Sequence, residues 1–132
     1  MSSKQTVTIK DYHNGGGDLN IEVKMSVISE KMVGLAKVVG LKITRQPDKH
    51  SMRLGMFAHI RNTQAGYQSL GFAQLTLTFE TYSAGKLLTR YLTYFYDVAV
   101  TSVMRVGDEE EITFIARKKS PTMATSNIVL VP

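Results

Sequence analysis

Apolar and polar residues alternate from Leu19 to Val27, putting Leu19, Ile21, Val23, Met25 and Val27 on one side of an extended chain. A period of two does not gather residues onto one helix face, so this segment commits the chain to β-structure with one half-buried face. Gln5–Lys10 repeats the pattern, and Gln74–Tyr82 sets Leu75, Leu77 and Phe79 against Thr76, Thr78 and Glu80. Gly40–Arg45 reads as a further strand, ended at Gln46-Pro47 because proline has no N–H to give to a ladder. Glu111–Arg117 and Asn127–Val131 add two more.

Turns separate these runs. His13-Asn14-Gly15-Gly16-Gly17-Asp18 is a loop, and Ser83-Ala84-Gly85-Lys86 and Gly107-Asp108 are tight reversals where glycine supplies the backbone freedom. Leu87–Val103 is rich in β-branched and aromatic residues but exceeds the usual strand length of about 5–6 residues. Asp97 is expected to mark a bulge or bend near its middle, or else to lie on the polar face.

Met52–Ile60 is open to two readings. Met52, Met56 and Ile60 have helical spacing, while Met52, Leu54, Met56, Ala58 and Ile60 alternate as in a strand. Asp48 or Ser51 would cap a helix, and Arg61-Asn62 would suit its last turn, so a short helix over about residues 50–61 is preferred. The expected fold is mainly β: an antiparallel barrel or two-sheet sandwich with one short helix, spanning residues 1–132 as a single domain.

With 43% apolar residues the chain can build a core unaided, and the absence of cysteine excludes disulfides, Cys-based zinc sites and thiol nucleophiles. Residues 1–11 do not resemble a secretory signal, and no apolar run approaches the roughly 20 residues a spanning helix needs. The expectation is synthesis in the cytoplasm, no membrane association, and export, if any, by a route independent of a signal peptide. The formal charge is +5, but most lysines and arginines are scattered singly and only Arg117-Lys118-Lys119 form a run. A solvated face is the preferred account of the scattered charges.

Catalytic equipment is missing from the pattern. His13, His50 and His59 are not spaced to put two imidazoles on one helix turn. Ala84-Gly85-Lys86-Leu87 fails as a phosphate loop, with Glu80 where a glycine belongs and Leu87 where a hydroxyl belongs. Asp108-Glu109-Glu110-Glu111 lacks the alternation of a calcium loop and reads as solvated charge on a turn, or as a docking patch for a basic partner. No catalytic, cofactor or metal residue is assigned; a carboxylate pair of Asp97 and Glu80 is the weakest of the readings kept. Tyr91, Tyr94, Phe95 and Tyr96 beside Arg90 have the makings of a stacking platform for single-stranded nucleic acid. Alternation, however, sends at least one pair into the core, and nucleic acid is disfavoured as a partner. Met25, Met32, Met52 and Met56 are taken as core filling, although methionine also suits adaptable contact surfaces.

The order of several short patterns resembles the Hcp (haemolysin-coregulated protein) family of type VI secretion. The residues that carry it are Ile43-Thr44-Arg45, Asp48-Lys49-His50-Ser51, Leu75-Thr76-Leu77, Ala84-Gly85-Lys86, Tyr91-Leu92-Thr93-Tyr94, the run Asp97–Val103, and Glu110-Glu111-Ile112-Thr113-Phe114. The family's aromatic segment before the Gly40 region and its C-terminal tryptophan have no counterpart, and its extended first-half loop is reduced. The resemblance implies a β-barrel with a flanking helix that assembles into hexameric rings. Stacked rings make the inner tube of a contractile apparatus, hold small effectors in the lumen, and leave the cell with them. It implies a homo-oligomer with secretion-apparatus partners and no enzyme activity. Asp48, Lys49 and Arg53, beside the expected helix, are the candidate subunit contacts. The competing expectation is a small basic barrel that binds single-stranded nucleic acid or acidic proteins.

Overall fold

The computed structural model describes residues 2–10, 18–55 and 72–124. Its strands are β1 (Ser2–Lys10), β2 (Leu19–Val23), β3 (Met25–Val33), β4 (Ala36–Arg45), β5 (Phe72–Ser83), β6 (Lys86–Val106), β7 (Glu109–Lys119) and β8 (Met123–Ala124). Every pairing is antiparallel, in the order β2-β1-β5-β6-β7-β4-β3, with β8 on β6. The two ends of this path are consecutive in the chain, separated only by Lys24. No ladder joins them; the Lys24 N–H donates to the Thr44 carbonyl at 2.8 Å, extending the β3–β4 pairing by one step into the connection. The antiparallel β-fold expected from the alternation is therefore present as a curved sheet that does not close completely. Residues 51–55 are helical.

The alternating residues build the core. Val7 and Ile9 of β1 lie opposite Leu77 and Leu75 of β5, and Leu75 lies opposite Phe95 of β6. Leu41 and Ile43 of β4 face Phe114 and Ile112 of β7. All of these are buried, together with Leu19, Ile21 and Val23 of β2. Each such side chain contributes about 1.5–3 kcal/mol through loss of apolar surface from water, and that burial selects the register.

β6 serves both halves of the sheet. Its first part pairs with β5 and β8 and its second with β7, the overlap lying around Phe95–Val98. Burial falls on odd positions at Thr93 and Phe95 and on even positions at Val98 and Val100. The changeover is at Asp97, whose φ of 54° is left-handed, so the expected irregularity falls where the sequence placed it. The register itself shifts slightly later, between Val100 and Ser102, and this bulge returns Val103 to the core side.

Some expectations need correction. Leu19–Val27 is not one strand with one apolar face: the chain bends at Lys24, and Met25 and Val27 are exposed. Ile28–Val39, to which the sequence assigns no element, lies within the β3–β4 hairpin, whose turn uses Gly34 at φ 63° and leaves Leu35 fully exposed. Met25, Met32 and Met52 do not fill the core; they are 52%, 64% and 78% exposed. The rest of the expected helix beyond residue 55, the Asn127–Val131 strand, His13, His59 and Met56 lie outside the described residues. Among the described residues no helix is long and apolar enough to cross a membrane.

Candidate functional site

β4 continues its inward alternation one step past the apolar residues, so Arg45 follows Leu41 and Ile43 into the interior. A guanidinium carried there needs carboxylates. Glu110, at the start of β7, accepts from Arg45 Nη1 at 2.8 Å, and Asp48 accepts from Arg45 Nη2 at 2.5 Å. Ser51 Oγ donates to the same Glu110 oxygen at 3.0 Å. Arg45 Nε is buried with no partner. The acidic run is thus not merely solvated charge: Glu110 is buried against Arg45, and Glu109 pairs with Lys24 at 2.6 Å.

The same residues start the helix. Asp48 Oδ1 accepts from the His50 N–H at 2.8 Å, and Ser51 Oγ accepts from the Asp48 N–H at 3.0 Å, a reciprocal capping arrangement. Both expected caps are therefore used. The first helical hydrogen bond runs from the Leu54 N–H to the His50 carbonyl, and Leu54 is buried. Burial pushes the Asp48 carboxyl up, but the hydrogen bond and charge of Arg45, together with the His50 N–H, outweigh it and hold the pKa below the ordinary value.

Of the candidate contact residues, Asp48 is exposed at its outer side but committed to Arg45 and the helix start. Lys49 is exposed and Arg53 half-buried. A groove of about 470 Å³ opens beside this corner, lined by residues of β2 and of the segment after β4, among them Glu22, Lys24, Gln46, Pro47 and Asp48. Its walls mix both charge signs and carry no nucleophile–base pair.

Other candidates are dispersed. Glu80 is buried and held by Arg90, whose Nε and Nη2 both reach its Oε2, at 2.9 and 2.8 Å; Asp97 is exposed elsewhere on the sheet. The two carboxylates do not form a pair. Phe95 faces the core, whereas Tyr94 and Tyr96 share the outer face, with Lys118 Nζ 5.5 Å from the Tyr96 ring centre. Gly85, at φ 77°, is a hairpin turn. No group of three or more metal-ligating side chains occurs among the described residues. Sequence reasoning missed the Arg45–Glu110 pair; the signal available was a lone arginine in the inward phase of an apolar strand.

No family model matches the sequence, and no curated protein matches it. Solved structures do match the fold. Hcp1 from E. coli EAEC 042, in a form with two tryptophan substitutions, superposes with a TM-score of 0.69 at 14% identity, covering 96% of this chain and 94% of its own. The secreted protein Hcp3 from Pseudomonas aeruginosa gives 0.58 at 14% identity, covering 94% and 98%. At that identity the likeness speaks for architecture alone, and over nearly the whole described chain that architecture is the Hcp fold.

Proposed function

We propose that this chain is a non-catalytic structural subunit that assembles into rings, and that stacked rings form the inner tube of a contractile, type VI-like secretion apparatus. The observation that carries the reading is the agreement of fold with Hcp1 and Hcp3 along almost the full length of all three chains. The surface is consistent with it. The outer edge of β3 has no strand partner among the described residues, and Met25, Val27, Ile28, Met32 and Leu35 expose apolar side chains on that hairpin. An edge of this kind is an aggregation hazard in a monomer and an interface in an assembly. A heterologous contact closes into a ring when its rotation divides the circle. Lys49 and Arg53, with Asp48 holding their segment in place, belong to the subunit contact in this reading. Small effectors would occupy the lumen, and the subunit would leave the cell with the tube.

Light scattering after size exclusion, at low and at high salt, tests the proposal. A mass near six chains that persists in high salt, with rings in negative-stain images, is the expected result. A monomer at every concentration up to that of a dense cell extract would overturn it.

A further inference from the structure

The strand register puts four side chains in one row across the outer face. Lys10 of β1 lies opposite Gln74 of β5, Gln74 opposite Tyr96 of β6, and Tyr96 opposite Lys118 of β7. Directly opposed residues in antiparallel strands project from the same face, and strands lie about 4.8 Å apart, so the row spans roughly 14 Å. The next row carries Asn20, Thr8, Thr76 and Tyr94. The Tyr94 backbone is held on its open side by Ser120, whose N–H donates to the Tyr94 carbonyl at 2.8 Å and whose Oγ accepts from its N–H at 3.0 Å. The result is a polar, mostly uncharged sheet face with two tyrosines at its centre and a lysine at each end of one row.

Charge is sorted along β7. At its start, Glu109 and Glu110 are neutralised by Lys24 and Arg45. At its end Arg117, Lys118 and Lys119 are exposed, and among the described residues neither they nor Lys10 form an ion pair. Two exposed acids adjoin the row: Asp97, and Asp18, which the β1–β2 register brings beside Lys10. Lys10, Arg117, Lys118 and Lys119 therefore outnumber the two acids, and the positive excess lies beside the tyrosines.

From this juxtaposition we propose that the Lys10–Gln74–Tyr96–Lys118 row, with Tyr94, is a binding face for single-stranded nucleic acid, with Arg117 and Lys119 adding positive potential from alongside it. Lysines take phosphates, tyrosine rings take unpaired bases, and the threonines and Gln74 offer hydrogen bonds without sequence bias. Lys118 already sits over one tyrosine ring and moves to a phosphate when a base replaces it. An acidic protein segment would satisfy the lysines but leave the tyrosine faces unused. The inference does not rest on ring assembly, since the face belongs to one chain.

The test is fluorescence anisotropy of a labelled 20-nucleotide oligothymidine with the full chain, read at several salt concentrations. Affinity is expected to fall steeply with salt, each phosphate contact adding about 0.7 to the log–log slope. Lys10→Gln with Lys118→Gln should weaken binding at least tenfold. Tyr94→Leu and Tyr96→Leu should each weaken it at least fivefold at unchanged slope, which a purely electrostatic surface would not show. Arg105→Gln, at the far end of β6, should leave binding unchanged, and circular dichroism checks that each variant is folded. Duplex DNA of equal charge should bind more weakly, its bases being stacked away. No binding by the folded parent overturns the proposal. So does binding that polyglutamate or heparin displaces equally well and that the tyrosine variants do not alter.

Discussion

The Arg45 guanidinium meets the Glu110 carboxylate at 2.8 Å inside one end of the sheet, with their side chains only 1% and 6% exposed. Taking two such charges out of water costs several kcal/mol each, and here they are compensated by one another, by Asp48 and by Ser51. Removing one partner is therefore far worse than removing both. Glu110→Gln and Arg45→Met should each lower the unfolding free energy by about 3–5 kcal/mol. The double variant Arg45→Met with Glu110→Leu should recover most of that loss, because Arg45 Nε, buried without a partner, disappears with it. Urea denaturation of the three variants decides the matter. A double variant no more stable than either single one would mean that the ion pair is required by the fold itself.

Asp48 gives the chain a pH dependence at its helix start. Its carboxyl is held below the ordinary value of 3.8, so its contribution is complete above that pH and is lost as pH falls through the lower folded value. In Asp48→Asn the stability should be reduced at neutral pH and should change less between pH 4 and 2 than in the parent. Identical slopes in that window, measured by thermal melts, would remove Asp48 from the account.

Asp97 adopts left-handed backbone within a strand. An L-residue there costs about 1–2 kcal/mol, and a β-branched one more, whereas glycine carries no such penalty. Asp97→Gly is expected to be neutral or mildly stabilising and Asp97→Val destabilising by about 2 kcal/mol. Equal effects of the two substitutions would show that the side chain, and not the backbone, matters at this position.

Leu54 is the buried anchor of the helical residues 51–55. Leu54→Ala should cost about 2–5 kcal/mol. Because the cap and Arg45 sit next to it, hydrogen exchange should rise first at the His50–Leu54 amides. Uniform exchange across the sheet instead would place the anchor's role in the global core.

What the sequence revealed was local and periodic. Leu75 and Leu77 alternate with threonines where β5 pairs in unbroken register with β1 on one side and β6 on the other, and the structure keeps that alternation. Leu19–Val27 alternates equally well, yet Lys24 divides it, because a period of two says which side a residue faces but not which strand lies beside it. Met25 and Val27 keep the phase and lose the core. Glu110 was hidden for a related reason: its neighbours in sequence are acids, while the arginine that buries it comes from β4. The tyrosines were half legible. Alternation separated Tyr94 and Tyr96 from Phe95, but only the register places Lys10 and Lys118 beside them.

The pairing of β4 with β7 has a consequence for synthesis. Arg45 and Glu110 are 65 residues apart, so at 5–20 residues per second β4 waits roughly 3–13 seconds for its partner to be made. Over that interval the β3–β4 hairpin can form, yet Leu41 and Ile43 lack Phe114 and Ile112, and Arg45 has Asp48 but not Glu110. The emerging chain is thus most in need of protection while still attached to the ribosome, and β3 and β4 become secure only once β7 has been translated.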